Sequence, residues 1–204
     1  MKKQQCLLAI TLLAFIAGCN IQPRVSDGKQ LFLLDVVRRA EQSPETIDAT
    51  LKIRPCRVSE PFGGRSLIYR TGSVQYEQDH YNLFLTSPDE QLTGIFRVWF
   101  QDSGLFRSVE TQILSAEYTL ESHVDKLYAD FQNNAVPIAV MQMHAMLSKY
   151  DKSCSCTSVI LDKTFIAKSP MPPNPTATDV VEAFGVCINQ ILKDLETEIT
   201  AVQE

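Results

Sequence analysis

The chain is poor in histidine, with three in 204 residues. His80, His123 and His144 stand far apart, none belongs to an H-E-x-x-H pair, and no nucleophile motif accompanies them. The sequence therefore offers no ready-made zinc-protease or hydrolase site, and the expectation is a protein that is not an enzyme. "FGGRS" at 62–66 has paired glycines but lacks the lysine of a phosphate-binding loop, which removes nucleotide binding by that route. Basic charge is in deficit, with Lys+Arg 19 against Asp+Glu 24. Lys2 and Lys3 lie in the leading segment, so residues 19–204 carry 17 against 24, a balance of −7. Such a chain is unsuited to holding nucleic acid or an anionic lipid surface by charge. Long apolar runs are also scarce. Beyond residue 18 none approaches the roughly 20 residues that a membrane-spanning helix needs. There is one tryptophan, there are no internal repeats, and only "PMPPNPT" at 170–176 is compositionally biased.

What is present begins at the first residue. Met1-Lys2-Lys3 is a short basic head, followed by an apolar stretch from Leu7 to Ala17 broken only by Thr11. That is the length of a signal-peptide core and too short to span a bilayer. Ala17 and Gly18 are small, and Cys19 follows at once, the arrangement of a bacterial lipobox. A cysteine sulfur there is the nucleophile that takes up diacylglycerol; cleavage before it frees an amine that is acylated in turn, as with palmitate. Several acyl chains on one residue anchor stably where one does not. Residues 1–18 are thus expected to be a lipoprotein signal peptide, Cys19 the lipidation site and 19–30 a polar tether. A domain occupies 31–204. Asn20, in place of the aspartate that retains enteric lipoproteins at the inner membrane, tilts the expected location to the outer membrane, facing the periplasm.

Four further cysteines, Cys56, Cys154, Cys156 and Cys187, are expected in an oxidising compartment, where they allow up to two disulfides in three pairings. Cys154 and Cys156 in "SCSCTS" would share one face of a strand. A bond between them would be strained there, so each is expected to bond a distant partner. Zinc is the rival use of such thiols, but no histidine lies at ligand spacing, and no metal or other cofactor is expected.

The pattern along the domain reads as strands, helix, strands, helix. "QLFLLDVVRR" (30–39) and "DATLKIRP" (48–55) read as strands, the second stopped by Pro55. "VSEPFGGRS" (58–66) reads as a loop, and two short strands flank Thr71-Gly72. "EQDH" at 77–80 reads as a solvated turn. "SPDEQLTGIFRVWFQDSG" is the clearest local signal. Ser87 and Glu90 form an S-x-x-E capping box, and Pro88 suits the first turn. Leu92, Ile95, Phe96, Trp99 and Phe100 recur at helical spacing, and Gly104 ends the helix. "LFRSVE" is a short strand, and "AEYTLESHVDKLYADF" is a long one whose alternation slips near Lys126, the mark of a bulge. "AVPIAVMQMHAMLSKY" is apolar on both faces and reads as a central strand. Helix is the rival reading, since Met143, Met146 and Leu147 fit it too, but Pro137 and the β-branched Val136, Ile138 and Val140 favour strand, and "TSVILDKTFIAKS" is another strand. Thr176 with Asp179, or Thr178 itself, then caps a closing helix with a stripe from Val180 to Ile199. The fold class is α+β: a largely antiparallel mixed sheet with two long helices packed on one face.

Several segments resemble the ABC-type transport auxiliary lipoprotein family. They are "FLLDVV", "LKIRPCRVSEPFGGRSLIYR", "YNLFLTSPDEQLTGIFRVWFQDSGLFRSV", "YTLESHVDKLYADF" and "DVVEAFGVCINQILKDLE". The third is the most specific, with Tyr81 and Phe84 at a strand end, Pro88 at the helix start, Trp99 within the helix, and Ser103-Gly104-Leu105-Phe106 leading into a strand. Coverage runs from about Leu31 to Glu196. The chain departs from the family in its cysteines, and in having Phe84 near the place where many members carry tryptophan. The resemblance implies a mixed α/β outer-membrane lipoprotein that works without catalysis. Its partners would be an MCE-domain protein and an inner-membrane ABC permease and ATPase complex, and the chain itself would form a ring of identical copies. Phe62 in the "PFGG" loop and Met171 in the proline loop are candidate contacts for partner or lipid. The rival reading is a structural or regulatory lipoprotein that binds another envelope protein, such as a cell-wall synthesis enzyme. An envelope hydrolase is a third.

Overall fold

The structure is a computed structural model that describes residues 28–39, 46–133 and 135–202. Cys19, the signal peptide and most of the tether lie outside the described residues. The strands are β1 (Gln30–Phe32), β2 (Ile47–Ile53), β3 (Arg57–Val58), β4 (Ser66–Arg70), β5 (Tyr76–Phe84), β6 (Phe106–Glu110), β7 (Tyr118–Asp130), β8 (Ile138–Asp151) and β9 (Cys156–Pro170). The helices are α1 (Pro88–Ser103) and α2 (Ala177–Ala201), and a single 3-10 turn covers Glu60–Phe62.

The nine described strands form one mixed sheet organised around β7. On one side β7 pairs antiparallel with β8, and β8 with β9, giving long ladders. On its other side three short strands take up successive thirds of β7, all parallel to it. Leu51–Ile53 of β2 face Tyr118–Leu120, β3 faces His123 and Val124, and Tyr69 and Arg70 of β4 face Ala129 and Asp130. The relay has a local cause. Pro55 has no N–H to give a ladder, so the chain leaves β7 after Arg54 N bonds Leu120 O at 3.0 Å, and it returns where Ser59 N bonds Val124 O at 2.9 Å. The sheet is therefore mixed, its antiparallel part concentrated in β4–β5 and β7–β8–β9. Parallel pairing of β2, β3 and β4 was not visible in the alternation.

Register along β7 shifts between Val124 and Lys126. Asp125 is the extra residue, and the bulge changes which alternate positions face the core: Leu120 and Val124 before it, Leu127 and Ala129 after. β8 has its two apolar faces for a reason. Ala139, Met141, Met143, Ala145 and Leu147 enter the main core beneath the helices, while Val140 joins Ile68 and Tyr128 in a small cluster that Phe62 and Ile138 flank.

Both helices bury their apolar stripes in the one main core. α1 contributes Leu92, Phe96, Trp99 and Phe100, and α2 contributes residues from Val180 to Ile199. Gly104 ends α1 at φ 65°, a left-handed conformation that glycine adopts without steric cost. The start of α1 differs from expectation: Ser87 makes no side-chain capping bond. Gln91 ties that end down instead, its amide donating to Thr86 O at 2.9 Å and accepting from Leu34 N at 2.7 Å. At α2 the Thr176–Asp179 capping box is complete, which decides between the two caps. The first strand is also shorter than read. β1 ends at Phe32, and residues 33–39 lie against α2 without joining a ladder. "EQDH" belongs to β5 and is not a turn.

Candidate functional site

A cleft of about 880 Å³ opens where the chain leaves β7 between β2 and β3. Arg54, Cys56, Arg57 and Glu60 line it from the connector, Asp89 from the start of α1, Glu121, Ser122 and His123 from β7, and His144 and Met146 from β8. Thr93 of α1 positions the connector. Its hydroxyl donates to Asp89 O at 2.7 Å and accepts from Cys56 N at 2.9 Å. Arg54 and Glu121 face each other across the mouth at 3.4 Å, both well exposed.

Burial pushes the Cys56 thiol up to about 11, with the neighbouring Ser122 hydroxyl pulling the other way. That keeps the sulfur protonated and poorly nucleophilic. The Ser122 hydroxyl is itself buried without a well-formed hydrogen bond. Ser59 Oγ lies 3.0 Å from His123 Nε2, and Asp125 Oδ1 lies 3.6 Å from that same nitrogen. A catalytic relay needs the acid on the opposite ring nitrogen from the hydroxyl, so these three groups do not form one. His144, opposite His123 in the β7–β8 ladder, engages Asp162 through its own Nε2 at 2.5 Å. Among the described residues no group of three or more His, Cys, Asp or Glu side chains could hold a metal ion.

The cysteines depart from expectation. Cys154 and Cys156 bond each other, not distant partners. The strand premise fails for Cys154: Cys156 opposite Asp151 closes the β8–β9 ladder, and Cys154 lies in the turn beyond it. There Asp151 accepts from Ser153 N at 2.8 Å, and Ser155 adopts φ 52°, which brings the chain back on itself. Cys56 and Cys187 are free and buried. The Cys187 thiol, also pushed up to about 11 by burial, points from α2 to Ala139 O at 3.7 Å.

Met171 is a second correction. Its N–H bonds Pro137 O at 2.9 Å, and the side chain is buried in the main core, so it is not a surface contact. Phe62 is half-buried and stacks on Tyr128 with centroids 5.9 Å apart, and it meets Tyr76 in a T-shaped pair at 6.1 Å. It stays partly open beside the cleft's Glu60 and Gly63.

Two features were missed at the sequence level. One is a buried polar clamp. Arg38 meets Glu196 through Nε at 3.1 Å and Nη2 at 2.7 Å, and Trp99 Nε1 donates to Glu196 Oε2 at 2.9 Å. The other is a groove of about 490 Å³ between residues 33–39 and α2, whose lining includes Leu33, Val37 and Val186. Its sequence signal is the nearly unbroken apolar run "LFLLDVVR", which as extended chain puts apolar residues on both faces.

No protein-family model matches the chain, and no curated protein matches it. Solved structures do match. Protein XCC0632 from Xanthomonas campestris, of the DUF330 family, superposes with a TM-score of 0.71 at 19% identity, over 85% of this chain and 98% of that one. A second, an uncharacterized protein, gives 0.65 at 16% identity over 84% and 99%. The hypothetical protein CT253 from Chlamydia trachomatis gives 0.52 at 9% identity over 75% and 96%. At these identities the likeness is one of fold: this chain has the architecture of a DUF330 protein along nearly that protein's whole length.

Proposed function

We propose that this chain is a lipid-anchored, non-catalytic docking or bridging subunit of an MCE-type ABC lipid transport system. In this reading Cys19 holds it in the cell envelope, in the outer membrane facing the periplasm. It engages an MCE-domain protein that leads to the inner-membrane permease and ATPase, and identical copies form a ring. The observation that carries the reading is where the most specific resembling segment falls. "YNLFLTSPDEQLTGIFRVWFQDSGLFRSV" folds as the end of β5, all of α1 and β6, and its Trp99 bonds Glu196 at the end of the closing segment of the same resemblance. The fold shared with XCC0632 over 85% of this chain is consistent with it. Moving lipid across an aqueous space calls for fixed attachment and a shielded apolar path. The cleft, with a protonated thiol and no hydroxyl–imidazole–acid relay, fits recognition better than turnover.

The test is affinity purification of the acylated protein from detergent-solubilised membranes. Capture of the MCE protein with its permease supports the reading. Capture of a wall-synthesis enzyme in its place, with lipid asymmetry and detergent resistance untouched by deletion, replaces it with the regulatory alternative. Cys19→Ser should leave the membrane fraction.

A further inference from the structure

The chain enters the fold beside an apolar surface that folding leaves uncovered. From Leu31 to Arg39 exposure alternates: Leu31, Leu33, Asp35, Val37 and Arg39 face outward while Leu34 is buried and Phe32, Val36 and Arg38 are half-buried. Leu33 and Val37 are each 57% exposed, and both line the groove against α2, where Val186 is 58% exposed. Leu31 lies one alternation earlier, and Leu85, whose N–H bonds Phe32 O at 2.8 Å, extends the patch along β1. The segment is held firmly. Asn189 donates to Val37 O at 3.1 Å, and Gly185 packs so close to Asp35 O that a Cβ there would sit 3.0 Å from it. The charges lining the groove are two of each sign, Asp35 and Glu182 against Arg39 and Lys193, so the surface selects by apolarity and not by charge. Clustered exposed apolar residues mark an interaction site, unlike scattered single ones.

We infer that this face, Leu31, Leu33, Val37, Leu85 and Val186, seats on the lipid bilayer to which the chain is anchored. The inference rests on the proposed lipidation of Cys19. Leu31 lies twelve positions after Cys19, and at no more than about 3.6 Å per step the intervening chain reaches at most about 43 Å. An anchor at Cys19 therefore holds the start of β1, where this patch begins, within that distance of the membrane. The bilayer is the occupant because the proposed tether enters the fold at the patch. A neutral surface fits it, since residues 19–204 carry −7 and an anionic one would repel the body.

The full chain, acylated in cells, is reconstituted into phosphatidylcholine vesicles at low protein density. A polarity-sensitive fluorophore is placed at Val37→Cys or, as control, at Val159→Cys on β9, and it is quenched by nitroxide lipids. Trp99 emission confirms folding, and intact mass reports the state of Cys19. The expected result is at least threefold stronger quenching at position 37 than at 159, reduced by Leu31→Asn with Leu33→Asn. Equal quenching with Cys19 acylated overturns the inference alone. An unmodified Cys19 overturns the anchoring and the inference together. Protection of position 37 that grows with protein density and ignores the nitroxide assigns the face to a second copy and overturns it as well.

Discussion

Removing the carboxylate of Glu196 should unfold this domain far more readily than any surface charge change. Its side chain is 17% exposed and that of Arg38 4%. One carboxylate takes two bonds from the guanidinium and one from the Trp99 indole, over which the guanidinium also lies, 5.9 Å from the ring centroid. Glu196→Ala strips a buried cation of a bidentate partner and leaves the indole N–H without its acceptor. Breaking a buried pair from one side costs about 3–5 kcal/mol. The partial exposure of Glu196 places the expectation near the lower end, about 3 kcal/mol. Arg38→Met with Glu196→Gln should cost much less than the two single changes added, because the glutamine oxygen still accepts from Trp99 and no buried charge remains in the pair. Urea unfolding followed by the single tryptophan gives both numbers, with an unchanged slope showing that only stability moved. The reasoning is refuted if Glu196→Ala costs under about 1 kcal/mol, or if the double variant loses the full sum.

Two other outcomes are expected. Cys56 and Cys187 have folded pKa values raised from 9.0 to about 11, so their contribution is complete below pH 9 and is lost as pH rises toward 11. Each can remove up to about 2–3 kcal/mol, and in denaturant midpoints between pH 8 and 11 Cys187→Ala should show a shallower decline than the parent; both thiols should resist a thiol reagent until the chain unfolds. At the other end of the scale, the side-chain and backbone bonds from Thr176 hold the Asp179 carboxyl below its ordinary 3.8. Its contribution is therefore present above that value and lost as pH falls through the lower folded one, and Thr176→Ala, which deletes one half of the capping box, should cost about 1 kcal/mol at neutral pH by the same unfolding assay.

Features written in local sequence were readable. The stripes of α1 and α2, the left-handed stop at Gly104 and the phase slip in β7 depend on neighbours a few residues apart, and each stands where periodicity put it. What escaped depends on contacts between distant segments. Parallel pairing of β2, β3 and β4 with β7 joins residues some 60 positions apart, and alternation carries no record of a partner's direction. The Ser87 box did not form, and that end of α1 is held by Gln91, whose amide meets Leu34 N 57 positions away. The same holds for the cleft. His123 is visible as a histidine, but Ser59 reaches it only because the β2–β3 connector returns to β7. The thiols misled because one lies in a turn, where strand geometry does not apply.

The clamp and the entry of the chain are mechanically one feature. Any pull on a domain anchored ahead of residue 28 acts first on β1, which has three ladder partners, all on β5. A ladder that short resists little by itself. Behind it come Leu34, bonded to the start of α1 through Gln91, then Val37, bonded to α2 through Asn189, then Arg38, which grips Glu196 and through it Trp99. Load entering at the amino terminus is thus passed within ten residues to both helices and the main core. A surface apolar patch could not do this, and an ion pair exposed to water would be worth too little. The cost of burying Arg38 and Glu196 is offset by joining the entry segment, residues 33–39, to both helices and the main core. That is why Glu196→Ala should loosen residues 33–39 before it loosens β7 and β8, an order that hydrogen exchange resolves.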